Sequence, residues 1–253
     1  FAVTGIVAPS FGAFIEESIG WRGNFAFMAL IGAVLLAVIL AVLPETHPAS
    51  RREPSNARHV IRNYCILLSN RQHLGYALAG SLSYSAYFVF SSIAAFVLIE
   101  AANVSPALFA LLYAAVAFGY GIGTFTSARL ARRLGLDRTV AIGLVVSVLA
   151  SLLHNVLVLD NSPNPYTIAL PMVIVALGLG MVFANLQTGA IAPFPVFAGA
   201  ASSTSGFLQM LVSSVISAIA LQFYNGTPLV MTAGILFSAA GMASVYYILV
   251  WRR

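Results

Sequence analysis

Long apolar runs, each broken by a short polar connection, set the pattern of this chain. Runs of about 20 residues, the length that crosses a bilayer core, occur at Phe25 to Leu43, Leu74 to Ile99, Ala107 to Ser127, Val140 to Leu159, Thr167 to Ile191, Val196 to Tyr224 and Pro228 to Trp251. They predict seven membrane spans. Backbone polar groups in lipid must be satisfied within their own segment, so the spans are helices; barrel strands would be shorter and would alternate. An eighth apolar piece, Phe1 to Ile15, is too short to cross, begins with Phe and lacks the charged start of a signal peptide. It reads as the end of a helix whose start lies upstream. The expected class is all-α, a polytopic membrane helix bundle.

One connection differs from the rest. The stretch "PETHPASRREPSNARHVIRNY", Pro44 to Tyr64, is long, polar and rich in Pro, Ser and Arg. It divides the chain into residues 1–44, a linker at 45–72 and a block at 73–253 with six spans. Six helices after a long polar link is the arrangement of one half of a transporter built from two six-helix halves.

Composition agrees, since 60% of the residues are hydrophobic and only 8% charged, against about 25% charged in soluble domains. All twelve basic residues are arginine, and their placement is one-sided. Arg51, Arg52, Arg58, Arg62 and Arg71 fill the linker, Arg129, Arg132, Arg133 and Arg138 fill a second connection, and Arg252 and Arg253 end the chain. Only Arg22 falls in a loop of the opposite parity. Cytoplasmic loops carry the excess of Lys and Arg, so the linker and the C-terminus are expected inside, with "EAANVSP", "DNSPNPY" and "YNGTP" outside. The net charge of +5 is then a topology signal and calls for no nucleic acid. The single cysteine, Cys65, excludes an intramolecular disulfide framework and a metal cluster; it reads as a filler in a juxtamembrane helix. Asn103-Val-Ser and Asn225-Gly-Thr fit glycosylation sequons, yet turn chemistry is the use expected of them.

At this point the residues resemble a known family. "GIVAPSFGAFIEESIGWRGNFAFMALIGAVLLAVILAVLPET", Gly5 to Thr46, is similar to the fifth and sixth helices of the drug:proton antiporters of the major facilitator superfamily. Pro9-x-x-Gly12 resembles their antiporter motif, although Thr4, Ala8 and Ala13 stand where glycine is usual. "TFTSARLARRLG", Thr124 to Gly135, resembles the superfamily's cytoplasmic motif: Arg129, Arg132 and Arg133 match, while Ala128 replaces the Asp and Ala131 the Gly. "FANLQTGAIAPFPVFAGAASSTSGFLQ" resembles helices ten and eleven of the bicyclomycin and chloramphenicol resistance branch. The resemblance implies part of the fifth helix plus helices six to twelve of a secondary transporter. It implies proton-driven efflux of drug-like molecules by alternating access in the inner membrane. The partners implied are a small-molecule substrate, protons and the lipid bilayer, in a monomer without nucleic acid, cofactor or metal.

Candidate residues follow from polar groups inside apolar spans. Asn185, Gln187 and Thr188 interrupt one span, and a buried amide costs free energy unless it is partnered. Two roles compete for Asn185: a bond to a neighbouring helix beside a small face of Gly180, Ala184 and Thr188, or lining of the substrate pathway. Pro193 and Pro195 end that helix and turn the chain. In the next span Ser202, Gly206, Gln209, Ser213 and Ser217 form one stripe by spacing, with Gln209 long enough either to reach a central cavity or to bond another helix. Tyr84, Tyr87 and Ser91 share one helical face, and Tyr113, Tyr120 and Thr124 another. Tyrosine, apolar in body and polar at its tip, suits amphipathic or cationic molecules, whereas Tyr76, Tyr246 and Tyr247, near span ends, fit an interfacial belt.

Proton coupling needs a titratable group that sees both sides of the membrane. No Asp, Glu or Arg lies in the middle of a complete span: Glu100 and Asp160 sit at outer ends, and Glu16 and Glu17 near the outer surface. His154, near the outer end of its span, has no acidic neighbour within a helical turn and reads as a packing or interfacial histidine. The coupling carboxylate of an antiporter is therefore expected upstream of Phe1. A membrane-embedded enzyme would need a paired base, nucleophile or metal cluster, which four scattered histidines do not supply. A non-transporting subunit or an inactive fragment is the remaining alternative.

Overall fold

The computed structural model describes residues 11–12, 14–44, 56–159 and 164–252. Thr4, Ala8, Pro9, Ala13, Arg51, Arg52, Asp160 and Arg253 lie outside the described residues. Among the described residues, seven helices are long and apolar enough to cross a membrane. These are α1 (Trp21–Val42), α3 (Arg71–Ala95), α4 (Pro106–Leu134), α5 (Leu136–Leu157), α6 (Pro165–Ile191), α7 (Ala198–Gln222) and α8 (Leu229–Tyr246), with a shorter helix, α2 (Ala57–Ser69), inside the linker. The expected polar connection thus contains a helix, whose start is capped by the Asn56 side chain accepting from Arg58 N. Helices α3 and α8 each end in a π-helical turn, Phe96–Ala101 and Tyr247–Trp251.

Span ends follow local capping chemistry. The Ser105 side chain accepts from Leu108 N at 3.3 Å ahead of Pro106, and Asn164 accepts from Tyr166 N at 2.9 Å ahead of Pro165. Both pairs follow the rule of a polar N-cap with Pro at the first helical position. Gly135, at φ +83°, both ends α4 and starts α5, so the two spans reverse without a loop. The sequon asparagines act as turn residues. Asn103 has φ +52°, and the Asn225 carboxamide oxygen accepts from Thr227 N and from Thr227 Oγ1 at 2.7 Å.

Burial separates the spans into two sets. The apolar windows of α3 and α6 are 56% and 61% buried, that of α1 0%, so the first two form the core, while α1 is exposed along most of its length among the described residues. Helix α3 packs on α6, α7 and α8, while α6 packs on α4 and α5. Close approach is built from glycine. A Cβ on Gly123 of α4 would overlap the Leu177 carbonyl of α6, and one on Gly180 of α6 would overlap the Tyr120 carbonyl of α4, so these backbones touch directly.

Three expectations about faces need correction. Gly180 does belong to a tight seam with α4, but Ala184 and Thr188 are exposed, and a second seam runs through Gly178 against Gly143 of α5. In α7 the buried stripe runs through Thr204, Ser205, Gln209, Ser213 and Ser217, whereas Ser202 is exposed and Gly206 half-buried. Of the three tyrosines expected in the belt, Tyr247 is 50% exposed, while Tyr76 and Tyr246 are buried at 6% and 2% and stack edge to face with centroids 6.0 Å apart. Depth near a span end does not fix radial direction, and a tyrosine with an inward hydroxyl partner turns inward.

Candidate functional site

Three polar regions lie along the inner faces of α3, α4, α6 and α7. The first gathers the four tyrosines. Tyr84 and Tyr87 on α3 lie on the side of Tyr113 and Tyr120 on α4, with the Tyr87 and Tyr120 rings 6.1 Å apart. Phe88 stacks on Tyr84 at 5.9 Å, and Phe183 of α6 lies 6.2 Å from the same ring. Phe90 stacks on Tyr113 at 5.9 Å, and the Tyr113 hydroxyl is 3.0 Å from Ser91 Oγ. Tyr84, Tyr113 and Tyr120 are only half-buried, and Ser91 and Thr124 are exposed. The sequence periodicity found the tyrosines on each helix; Phe88 and Phe183 complete the aromatic wall and were missed. Phe88 was legible as the residue four after Tyr84, while Phe183 carried no local signal.

The second region holds Asn185. Its Nδ2 donates to Ser127 Oγ of α4 at 2.7 Å and to the Met181 carbonyl at 2.9 Å, and Ser127 Oγ donates to the same carbonyl at 2.8 Å. Asn185 therefore bonds a neighbouring helix. The third region holds Gln209, buried on α7, whose Oε1 accepts from Gln187 Nε2 of α6 at 3.0 Å. One turn on, Ser213 Oγ lies 3.1 Å from Ser85 Oγ of α3. The tyrosines come together, while Asn185 and Gln209 each sit in a different helix–helix contact.

Charged groups lie at the ends of the spans. Glu16, Glu17 and Glu100 are exposed. Arg129, Arg132 and Arg133 are exposed at the end of α4, with Arg129 stacked 3.6 Å over the Phe125 ring. Among the described residues, a Cβ added at Gly12 would meet Asn24 Oδ1 at 3.8 Å. Asp137, not singled out in the sequence, accepts from the Tyr246 hydroxyl at 2.9 Å and so ties the start of α5 to α8. A recess of about 460 Å³ opens beside it, lined by Tyr76, Gly135, Asp137, Arg138, Val250 and Trp251.

Among the described residues, His73 and His154 are fully buried. His73 Nδ1 lies 2.9 Å from the Ala190 carbonyl, and its ring stacks edge to face on Phe194, which ties the start of α3 to the turn after α6. His154 lies against the backbone of Ile168, but neither ring nitrogen has a hydrogen bond of good geometry. The expected packing role describes it. No group of three or more metal-ligating side chains occurs among the described residues.

Known proteins are similar to this chain in sequence and in fold. The chain is 24% identical over its whole length to a bicyclomycin resistance protein homolog of Haemophilus influenzae, covering 63% of that protein. It is 27% identical over 97% of its length to the uncharacterized MFS-type transporter YdgK of Bacillus subtilis, covering 61% of it. It is 28% identical over 83% of its length to the multidrug resistance protein MdtL of Escherichia coli, covering 51% of it. The chain thus spans less than two thirds of the length of these relatives. A crystal structure of a bacterial homolog to the human lysosomal transporter Spinster, inward-facing and unoccupied, superposes over 99% of this chain and 66% of its own with a TM-score of 0.50 and 16% identity. The model of the Major Facilitator Superfamily matches residues 1–221, and the chain belongs to that superfamily.

Proposed function

We propose that the chain is part of a secondary transporter that exports drug-like small molecules by alternating access, driven by the proton gradient across the inner membrane. The observation that carries this reading is the half-open aromatic face of Tyr84, Tyr87, Tyr113 and Tyr120. Such a face offers apolar surface, ring quadrupoles and hydroxyl groups to a planar or cationic solute. The relatives, a bicyclomycin resistance protein homolog and a multidrug resistance protein by name, support the substrate class.

In this reading residues 73–253 form one six-helix half, 45–72 the cytoplasmic linker and 1–44 the end of the other half. The halves rock about a midplane site. Asn185 and Gln209 border the pathway through helix contacts that rearrange as the halves move, and Pro9, Gly12, Arg129, Arg132 and Arg133 belong to the conformational motifs. The coupling carboxylate lies in helices outside these residues. The C-terminus faces the cytoplasm, and the molecule works as a monomer.

The test is accumulation of a fluorescent aromatic cation in cells that lack their main efflux pumps and express the full reading frame. Expression lowers accumulation, a protonophore restores it, and Tyr87→Ala with Tyr120→Ala restores it by several-fold at equal membrane levels. Accumulation unchanged by expression would refute export, and unchanged efflux in the double variant would refute the tyrosine site.

A further inference from the structure

Helix α2 is amphipathic: Val60, Ile61, Tyr64, Leu67 and Leu68 share one sector at helical spacing, away from Arg58 and Arg62. The bundle uses only part of that sector. Leu67 is fully buried against Phe194 and Ala201, and the Tyr64 hydroxyl is 3.1 Å from Ser203 Oγ, whereas Val60, Ile61 and Leu68 stay 44%, 63% and 46% exposed. Asn70 fixes the position of the helix. It terminates α2, and its side chain accepts from His73 N at 2.9 Å to cap α3, so α2 hangs from the end of a membrane span with no slack. An amphipathic helix held at that depth, with bare apolar residues next to arginines, has the make-up of an interfacial helix.

A second, separate observation lies at the same junction. Asn70, Arg71, Gln72, Leu249 and Arg252 line a recess of about 300 Å³. No carboxylate lines it. The Arg71 guanidinium is held by donation to the Ile248 carbonyl, and Arg252 lies 5.2 Å over the Tyr247 ring. Among the described residues, neither these arginines nor Arg58 and Arg62 have an acidic partner, and all four are exposed. Two arginines from different helices on an amide-lined recess suit the oxygens of a phosphate group.

We propose that α2 and this recess together form a docking surface for anionic phospholipid headgroups, which holds the linker between the two halves against the membrane. Bare apolar side chains of α2 enter the leaflet, Arg58 and Arg62 meet its negative surface, and Arg71 and Arg252 take a headgroup phosphate. The inference rests on the proposed topology only for which leaflet is engaged.

Cys65, exposed on α2 and the single cysteine of the chain, is a built-in position for the test. The protein carries an environment-sensitive fluorophore there and is reconstituted either in phosphatidylcholine vesicles or in vesicles with about a third phosphatidylglycerol. Both leaflets have the same composition, so insertion orientation does not enter, and the readout is independent of whether export is found. The expected result is a blue shift and a several-fold intensity gain in the anionic vesicles, reversed by high salt. Arg58→Gln with Arg62→Gln abolishes the gain, and Arg252→Gln reduces it. Identical emission in both vesicles, whether water-like or protein-buried, would overturn the proposal. So would an equal shift produced by inorganic phosphate added to the phosphatidylcholine vesicles, since that assigns the arginines to a free anion.

Discussion

A carboxamide inside a helix bundle is better tolerated when its amide donor is occupied, and the Asn185 Nδ2 has both a side-chain and a backbone acceptor. The bonds to Ser127 and Met181 join α6 to α4 at 2.7 Å and within α6 at 2.9 Å. Interhelical hydrogen bonds in membrane proteins average about 0.6 kcal/mol and reach about 1.7 kcal/mol. Asn185→Leu is therefore expected to lower the thermal midpoint in detergent slightly while leaving efflux near the parent level. Loss of efflux by the well-expressed variant would instead assign Asn185 a contact with substrate. Gln187 and Gln209 follow the same physics, but each leaves the other's polar atoms buried when removed alone. Replacing both by Leu should cost less than the sum of the single changes, a coupling that a double-mutant cycle reads directly.

At the scale of elements, the glycine seams decide how closely helices approach. A side chain at Gly123 must displace the Leu177 carbonyl, and overpacking of this kind costs about 1–3 kcal/mol or more. Gly123→Val should broaden the size-exclusion peak and lower the thermal midpoint markedly. Gly206→Ala, where a Cβ meets nothing within 4 Å, should do neither. The lengths and number of the spans were legible in the sequence because bilayer thickness sets the length of every apolar run. Which face of each span turns inward was far less legible. Lipid tails and protein core are both apolar, so a membrane helix shows little of the one-sided pattern that marks a soluble one. That is why Ser202 was placed on the buried stripe of α7, and why Tyr76 and Tyr246 were read as belt residues. The tyrosine face was legible because polar tips in apolar helices are rare enough to carry a period. Asp137 was hidden because its partner, Tyr246, is 109 residues away.

At the scale of the whole molecule, the dominant asymmetry is electrostatic. Exposed arginines gather where α2 meets α3, where α4 passes into α5 and where α8 ends, and the chain as a whole carries +5. The same end holds the reversal at Gly135 and the Asp137–Tyr246 bond, so the charge is attached to parts that fix helix positions. A basic residue here can act in two ways, by setting orientation during insertion or by taking part in the proposed rearrangement of the halves. Arg129 and Arg132 stand in the motif-like segment after Thr124, whereas Arg253 ends the chain. Arg129→Ala and Arg132→Ala are therefore expected to reduce efflux several-fold more than Arg253→Ala. Membrane levels of the three variants, measured alongside, separate the two roles. Reduced levels in the first two would place the effect in insertion, and normal levels with reduced efflux would place it in the transport cycle. Equal efflux and equal levels in all three would show that this segment contributes nothing beyond its share of positive charge.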